Sequence, residues 1–326
     1  MSLLKAQSLV KHFPKHGGLL SREVARVHAV NGVDLEVERG ESFGLVGESG
    51  CGKSTLGKVL VRLLDPTSGS LHFDGHDITR MSYRELRPFK RRMQIVFQDP
   101  YASLNPRMTV ETMLAEALRF HRVVPEAQLS SRVDDLLERC GLRREVRRKY
   151  PHEFSGGQRQ RLGIARALSV EPDFVLADEP VSALDVSVQA QLLNLMSDLK
   201  QDLNLTFLFI SHDLKVVQHF CERVAVMYLG FIVEQLDAED LSRDCRHPYS
   251  QALWGAIPID NPSEREAREV LEGDVPSPLQ LPSGCAFAGR CPLVADRCKQ
   301  ERPQLIPLKG NPRHHVACHA VEEGRD

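Results

Sequence analysis

The 326-residue sequence has no apolar run long enough to cross a bilayer. Its longest uncharged apolar stretch, Val224 to Val233, is ten residues, about half of a membrane span, which excludes a bundle of membrane helices. It also has little excess charge. Lys and Arg number 42 against 44 Asp and Glu, for a net charge of -2, so the chain as a whole attracts neither nucleic acid nor an anionic membrane. Fixed-period repeats and low-complexity tracts are absent, which excludes solenoid and fibrous architectures. Charge interrupts Met1-Ser2-Leu3-Leu4-Lys5 before a signal-peptide core builds up, so a cytoplasmic chain is expected. Its eight cysteines contain no C-x-x-C pair. In a reducing compartment they are expected to be free thiols, catalytic groups or metal ligands and not structural disulfides. What remains, with 42% hydrophobic and 26% charged residues, is an ordinary globular chain of about two domains.

Ser42 to Val46 reads as a short apolar strand. After a glycine-rich break, Leu56, Val59, Leu60, Leu63 and Leu64 follow helical spacing until Pro66. The continuous apolar runs Phe174 to Ala177 and Leu205 to Ile210 are too short for helices and do not alternate, as expected of parallel strands buried on both faces. The fold class is therefore α/β. Between these runs, Met113, Leu114, Ala117 and Leu118, then Val133, Leu136, Leu137 and Cys140, mark helices without intervening strands, placing a helical subdomain at about 105–151. Beyond Leu236 the chain becomes Pro-rich and carries clustered cysteines. This divides it into a domain at 1–236 and an extension at 237–326.

Gly47-Glu48-Ser49-Gly50-Cys51-Gly52-Lys53-Ser54 fits G-x-x-x-x-G-K-[ST] and stands between the expected strand and helix, the context that motif requires. Glycines let the backbone curl so that successive N–H groups face phosphate oxygens, and the following helix presents its positive end to the same anion. Lys53 is placed to reach the β and γ phosphates and Ser54 to supply a hydroxyl to Mg2+. Asp178 and Glu179 follow a buried run, so both carboxylates emerge at the carboxyl end of a central strand, where open α/β sheets place ligands. One can hold Mg2+ through water while the other orients and deprotonates the attacking water.

Ser155-Gly156-Gly157-Gln158 opens a helical segment in which Leu162, Ala165 and Leu168 form one apolar face. Ser155 with Gln158 is also an ordinary capping-box pattern, and spacing does not separate a plain cap from an anion site. Two consecutive glycines exceed what a cap needs and would let an anion approach bare N–H groups.

Gly47 to Thr55, Phe154-Ser155-Gly156-Gly157-Gln158, Asp178-Glu179-Pro180, Ser182-Ala183-Leu184-Asp185 and Ser211-His212-Asp213, in this order, resemble an ABC-type ATPase across most of Phe13 to Val233. The resemblance implies a P-loop NTPase with a central, mainly parallel sheet, an antiparallel β subdomain and a helical subdomain. It further implies a head-to-tail dimer in which each ATP lies between one subunit's phosphate loop and the other's Ser155 to Gln158 segment. Carried over by position, Gln98 is the glutamine that links Mg2+ and the attacking water to the helical subdomain. His212 resembles the histidine that contacts the γ-phosphate, Asp185 the aspartate at the dimer seam, and Phe13 the aromatic that stacks on adenine. Pro14 to His28 looks like an insertion. Phe154 stands where the family most often has Leu.

His247-Pro248-Tyr249-Ser250-Gln251-Ala252-Leu253, Pro282-Ser283-Gly284-Cys285 and Arg290-Cys291-Pro292 are similar to the tail of dipeptide and oligopeptide importer ATPases, as are Phe97-Gln98-Asp99-Pro100 and Ser103-Leu104-Asn105-Pro106. By that resemblance the chain is one ATPase of a peptide importer, peripheral on the cytoplasmic face of the inner membrane. It would work with two permeases, a related second ATPase and an extracytoplasmic peptide-binding protein. Relatives with this tail also serve nickel or glutathione uptake. A soluble ABC ATPase acting on nucleic acid is the alternative class. One ATPase domain, no long coiled-coil insertion and no global basic charge speak against it, although Arg84, Arg87, Lys90, Arg91 and Arg92, then Arg143, Arg144, Arg147, Arg148 and Lys149, form basic runs. No nucleic-acid partner is expected.

Between Cys285, Cys291, Cys298 and Cys318 lie five, six and nineteen residues. This spacing alone indicates only a four-thiolate site, which suits Zn2+ or an iron–sulfur cluster. Resemblance to peptide-importer relatives favours a 4Fe-4S cluster. His314, His315 and His319 are alternative ligands.

Overall fold

The computed structural model describes residues 2–17, 22–99, 103–257 and 276–325; Pro100 of the Phe97 to Pro100 motif lies outside them. The described strands are β1 Ser2–Gly17, β2 Arg22–Glu38, β3 Ser42–Val46, β4 Ser68–Phe73, β5 His76–Asp77, β6 Met93–Val96, β7 Phe174–Asp178, β8 Thr206–Ile210, β9 Arg223–Tyr228, β10 Phe231–Asp237, β11 Ile306–Leu308 and β12 Asn311–Val316. The chain forms two compact units. One comprises Met1–Leu3, Val37–Ser42 and Arg80–Ile210; the other comprises Leu4–Glu36, Phe43–Thr79 and Ser211–Asp326.

In the first unit β7 is flanked by β6 and β8, all parallel, with Met93 opposite Phe174 and Asp178 opposite Ile210. Every residue of β7 and β8 is buried, which is why both runs are continuously apolar. Helices Val110–His121 and Leu129–Arg139 occupy the expected helical stretch and bury Leu114, Leu118, Val133 and Leu137 at their apolar spacing. Their polar side is tied by ion pairs. Arg144 meets Glu138, Arg147 meets Glu111 and Asp134, and Arg92 meets Asp173. Arg92, Arg144 and Arg147 of the basic runs are therefore paired with carboxylates within the protein.

In the second unit, β2-β1-β4-β5 form an antiparallel sheet. Within the segment read as an insertion at Pro14 to His28, the described residues are strand: β1 runs to Gly17 and β2 begins at Arg22. The remaining strands follow the order β11-β12-β10-β9-β3, with β3 parallel to β9. The apolar run Val224 to Val233 resolves into two strands around a tight turn at Leu229 and Gly230, both at positive φ (47° and 83°), the geometry of a two-residue hairpin. The helix after the glycine-rich break ends earlier than its apolar spacing predicts, at Leu60. Arg62 turns left-handed (φ 53°) and its guanidinium Nε donates to the Ile78 carbonyl at 2.8 Å, so Leu63 and Leu64 fall outside the helix.

Residues beyond Leu236 pack in the same unit as the glycine-rich loop. Their anchor is Glu234 of β10, fully buried, which accepts the Arg246 and His247 amides at 2.7 and 3.3 Å and lies 2.8 Å from His314 Nε2 of β12. His247 caps helix Pro248–Gly255 by accepting the Tyr249 N–H at 3.0 Å. Burial pushes His247 down to about 4, against the opposing pull of Glu234. The unfolded chain takes up this proton near pH 6.5 while the folded chain refuses it until about pH 4. Its contribution to stability is complete above pH 6.5 and is lost as pH falls toward 4. Thermal unfolding of His247→Asn, which keeps a side-chain cap but does not titrate, should fall less steeply over that interval; parallel curves for the two proteins would reject this role.

Candidate nucleotide site and thiol cluster

The second unit holds the phosphate loop. Gly47, Gly50 and Gly52 adopt φ 147°, 80° and 109°. A Cβ on Gly47 would lie 2.1 Å from the Met227 carbonyl oxygen, and one on Gly52 would lie 2.1 Å from that of Ala29. Both glycines are thus required twice, for conformation and for space. Lys53, only 5% exposed, opens helix Lys53–Leu60 and folds back over the loop, donating to the Gly47 and Glu48 carbonyls at 2.7 and 3.0 Å. Ser49 and Gly50 are exposed at the tip, Cys51 is buried, and Ser54 and Thr55 are half-buried on the first turn. Burial raises the Cys51 thiol above its ordinary range, with the Lys53 charge opposing, so Cys51 packs as a neutral side chain at neutral pH. His212 is exposed, directly before Asp213, which caps the helix Leu214–Phe220. Phe13 is half-buried on β1, with the Lys11 ammonium 4.9 Å from its ring centroid.

The first unit holds the carboxylates. Asp178 ends β7 and is 5% exposed. Glu179 leaves the strand in the left-handed region, φ 48°, which costs a non-glycine residue about 1–2 kcal/mol. Its amide donates to the Ile210 carbonyl at 3.0 Å, and the Ser182 hydroxyl donates to its carbonyl at 3.0 Å. The backbone is thereby fixed on both sides, and the carboxylate meets Gln98, whose Nε2 donates to Glu179 Oε2 at 2.8 Å. The two side chains are 81 residues apart in the chain and are brought together because β6 and β7 are adjacent. A glutamine bonded to a carboxylate in this way can share the positioning of one water molecule between them.

The Ser155 to Gln158 segment is a complete capping box. The Ser155 hydroxyl accepts the Gln158 N–H at 3.4 Å, and the Ser155 N–H donates to Gln158 Oε1 at 3.1 Å. Gly157 has a packing reason, since a Cβ there would meet Val188 Cγ1 at 2.5 Å, whereas Gly156 has only Leu184 at 3.6 Å. Only Gly156 is therefore open at the surface in the sense the sequence suggested for both. Phe154 is buried, as the apolar exchange for Leu requires. Asp185 is exposed at the start of helix Val186–Leu203 and makes no capping bond with its carboxylate; Val186 beside it is 84% exposed.

Cys285, Cys291, Cys298 and Cys318 are free thiols. The Cys285 amide donates to the Cys298 carbonyl at 2.8 Å, and the Cys285 carbonyl accepts the Ala288 N–H at 3.2 Å. Burial raises the Cys285 and Cys318 thiols and pushes Cys291 up to about 11, each also raised by neighbouring cysteines of the set. Yet among the described residues no three His, Cys, Asp or Glu side chains are grouped to hold a metal ion. The metal site expected on Cys285, Cys291, Cys298 and Cys318 is therefore not found as a group of ligands among the described residues. The zinc alternative is the most affected, because four thiolates bound at about 2.3 Å must crowd around one point. The histidines named as substitute ligands are engaged elsewhere: His314 with Glu234, His319 Nε2 with the Glu301 carbonyl, and His315 Nδ1 with that of Arg313.

Sequence reading missed Tyr249 and Arg290 as neighbours of the phosphate loop. The Glu48 N–H donates to the Tyr249 hydroxyl at 2.8 Å, and Arg290 grips the Glu48 carboxylate with both terminal nitrogens at 2.9 and 3.1 Å. No local pattern signals a partner more than 200 residues away.

The nucleotide motifs, the strand–loop–helix around Lys53 and the Gln98–Glu179 pair define an ABC-type ATP-hydrolysing domain. The family model "ABC transporter" matches residues 30–182, and "Oligopeptide/dipeptide transporter, C-terminal region" matches residues 233–298. A probable peptide ABC transporter ATP-binding protein of Sinorhizobium fredii is 50% identical over 318 residues, covering 98% of this chain and 90% of that protein. The oligopeptide transport ATP-binding protein AppF of Bacillus subtilis is 47% identical over 321 residues, covering 98% and 97%. Among solved structures, cbiO1 of Clostridium perfringens, part of an ABC transporter complex, superposes with TM-score 0.63 at 29% identity, covering 74% of this chain and 90% of that one. The dimeric ATP-binding cassette MJ0796 in a post-hydrolysis state with ADP and Pi gives TM-score 0.63 at 26% identity, covering 72% and 98%. The chain belongs to the family of peptide ABC transporter ATP-binding proteins. No helix among the described residues is long and apolar enough to cross a membrane.

Proposed function

We propose that this chain is one ATPase of a di- or oligopeptide importer, peripheral on the cytoplasmic face of the inner membrane, driving two permeases beside a related second ATPase and fed by an extracytoplasmic peptide-binding protein. The observation that carries the reading is the Gln98–Glu179 hydrogen bond in a chain that also matches the peptide-transporter C-terminal region. Glu179 takes a proton from the attacking water and Gln98 orients that water; Asp178 and Ser54 are the residues that would hold Mg2+, which would offset charge on the transferred phosphoryl group. Lys53 and amides of the loop between Gly47 and Thr55, other than the Glu48 and Cys51 N–H groups, bind the β and γ phosphates. His212 contacts the γ-phosphate and Phe13 the adenine. The other subunit's Ser155, Gly156, Gly157 and Gln158 close over the same ATP, with Asp185 at the seam. Hydrolysis removes the γ-phosphate contacts. At about 1.5–3 kcal/mol for each charge-assisted hydrogen bond, losing them at two sites shifts an open–closed equilibrium by orders of magnitude.

The groove of about 360 Å³ in the helical part, with Met108, Met113 and Phe120 on its walls and Phe120 57% exposed, is the surface we assign to a permease loop. For the cysteines we propose a 4Fe-4S cluster on Cys285, Cys291, Cys298 and Cys318. Its support is the donor chemistry: four free cysteines within one stretch of the extension, with the Cys285 amide bonded to the Cys298 carbonyl. Fe–S clusters are held by thiolates.

One preparation tests both parts. The full complex, co-expressed and purified anaerobically, should show ATPase activity stimulated by peptide-loaded binding protein in reconstituted membranes, and about four iron and four sulfide per cluster-bearing chain. ATPase activity driven by DNA in a salt-dependent way, without the permeases, would reject transport. A colourless, iron-free protein would reject the cluster and leave transport standing.

A further inference from the structure

Glu48 is the second residue of the phosphate loop, and all three of its polar groups are committed. Its carbonyl accepts Lys53 Nζ at 3.0 Å and the Cys51 N–H at 3.3 Å. Its N–H donates to the Tyr249 hydroxyl at 2.8 Å. Its carboxylate is held by the Arg290 fork at 2.9 and 3.1 Å. The two contacts of the carbonyl lie within the loop; those of the N–H and the carboxylate come from the C-terminal extension.

Neither partner is a loosely held surface group. Tyr249 is fully buried, and its ring packs 4.7 Å from that of Tyr228 and 5.4 Å from that of Phe287. The Arg290 side chain is 8% exposed against 26% for Glu48, and its guanidinium carbon lies 6.0 Å from the Tyr228 ring centroid. A bidentate pair this sheltered is geometrically specific. It stands beside Lys53, the residue that must meet a triphosphate. An unneutralised carboxylate there would repel the phosphates, and the repulsion would be strong because the site is partly shielded from water.

We infer that Arg290 and Tyr249 are positioning residues for ATP: Arg290 neutralises the Glu48 carboxylate, Tyr249 fixes its amide, and the extension thereby sets the shape and charge of the phosphate loop. The inference rests on the ATP-hydrolysing assignment but is independent of what is transported and of whether the cysteines carry a cluster. It gives the extension a role at the nucleotide site of its own chain.

The test is equilibrium binding of MgATP to the full chain, with steady-state ATPase of the assembled complex alongside. Arg290→Met should raise the MgATP dissociation constant and KM about tenfold or more while kcat at saturating ATP changes less than about twofold. Arg290→Lys should recover only part, since an ammonium cannot reproduce the fork. Adding Glu48→Gln to Arg290→Met should restore affinity to within about threefold of the unsubstituted chain, because the uncompensated charge is gone. Unchanged affinity in Arg290→Met overturns the inference, and so does a double variant as weak as the single one, which would mean that Arg290 only holds the extension together. If Arg290→Met does not fold, Tyr249→Phe carries the test, since it keeps the buried ring and removes only the hydroxyl: weaker MgATP binding supports the inference and unchanged binding overturns it. Failure of the unsubstituted chain to bind MgATP would instead bring down the ATPase assignment and this inference with it.

Discussion

Glu179→Gln should bind MgATP as tightly as the unsubstituted chain, within about threefold, and hydrolyse it at least about a hundredfold more slowly. A positioned general base contributes about 10²–10⁴ in rate, and the amide cannot take the proton. The Gln98 amide at 2.8 Å retains an oxygen acceptor on the new side chain, so the local geometry survives while the chemistry does not. With the γ-phosphate uncleaved, the closed dimer should accumulate in ATP, visible as a doubled mass by analytical ultracentrifugation of the two separately purified ATPase subunits mixed with ATP. Normal turnover would remove Glu179 from the base role. Turnover lost together with ATP binding would make Glu179 a binding residue.

The second large effect is expected at Lys53. Lys53→Ala removes the buried ammonium that bridges the Gly47 and Glu48 carbonyls and is poised for the phosphates. Two charge-assisted contacts at about 1.5–3 kcal/mol each correspond to a loss of MgATP affinity of about 10²-fold or more, and hydrolysis should become undetectable. Circular dichroism should remain native, because helix Lys53–Leu60 is held by Leu56, Val59 and Leu60, all fully buried. Calorimetric titration decides: affinity within about threefold of the unsubstituted chain would show that the amides alone bind the triphosphate. The two substitutions separate the steps, since one abolishes binding and the other only cleavage.

Both predictions depend on residues that were legible in the sequence, for a local reason. Glycines at φ 147°, 80° and 109° leave a compositional trace because other residues rarely adopt those angles. Buried parallel strands such as β7 and β8 leave an uninterrupted apolar run, and the helical stretch around 105–151 leaves its 3.6-residue spacing. Where reading failed, the cause was also physical. Leu63 and Leu64 keep the helical periodicity, but the helix after the phosphate loop stops at Leu60, where Arg62 turns left-handed, the Leu63 N–H closes on the Lys58 carbonyl and the Arg62 guanidinium reaches the Ile78 carbonyl outside the helix. The glycine pair at 156 and 157 was given one explanation, whereas Gly157 is small because Val188 stands 2.5 Å from where its Cβ would be.

Composition, periodicity and motif spacing by themselves determined the α/β fold class, the phosphate loop and the paired carboxylates at a strand end, because each depends on the conformational preferences of a few consecutive residues. Only the tertiary structure decided that Gln98 meets Glu179, that Glu234 anchors the extension through His314, and that Tyr249 and Arg290 grip Glu48. Such contacts join residues from 80 to more than 200 positions apart. They form only after the chain has closed large loops, and packing alone selects which side chains meet.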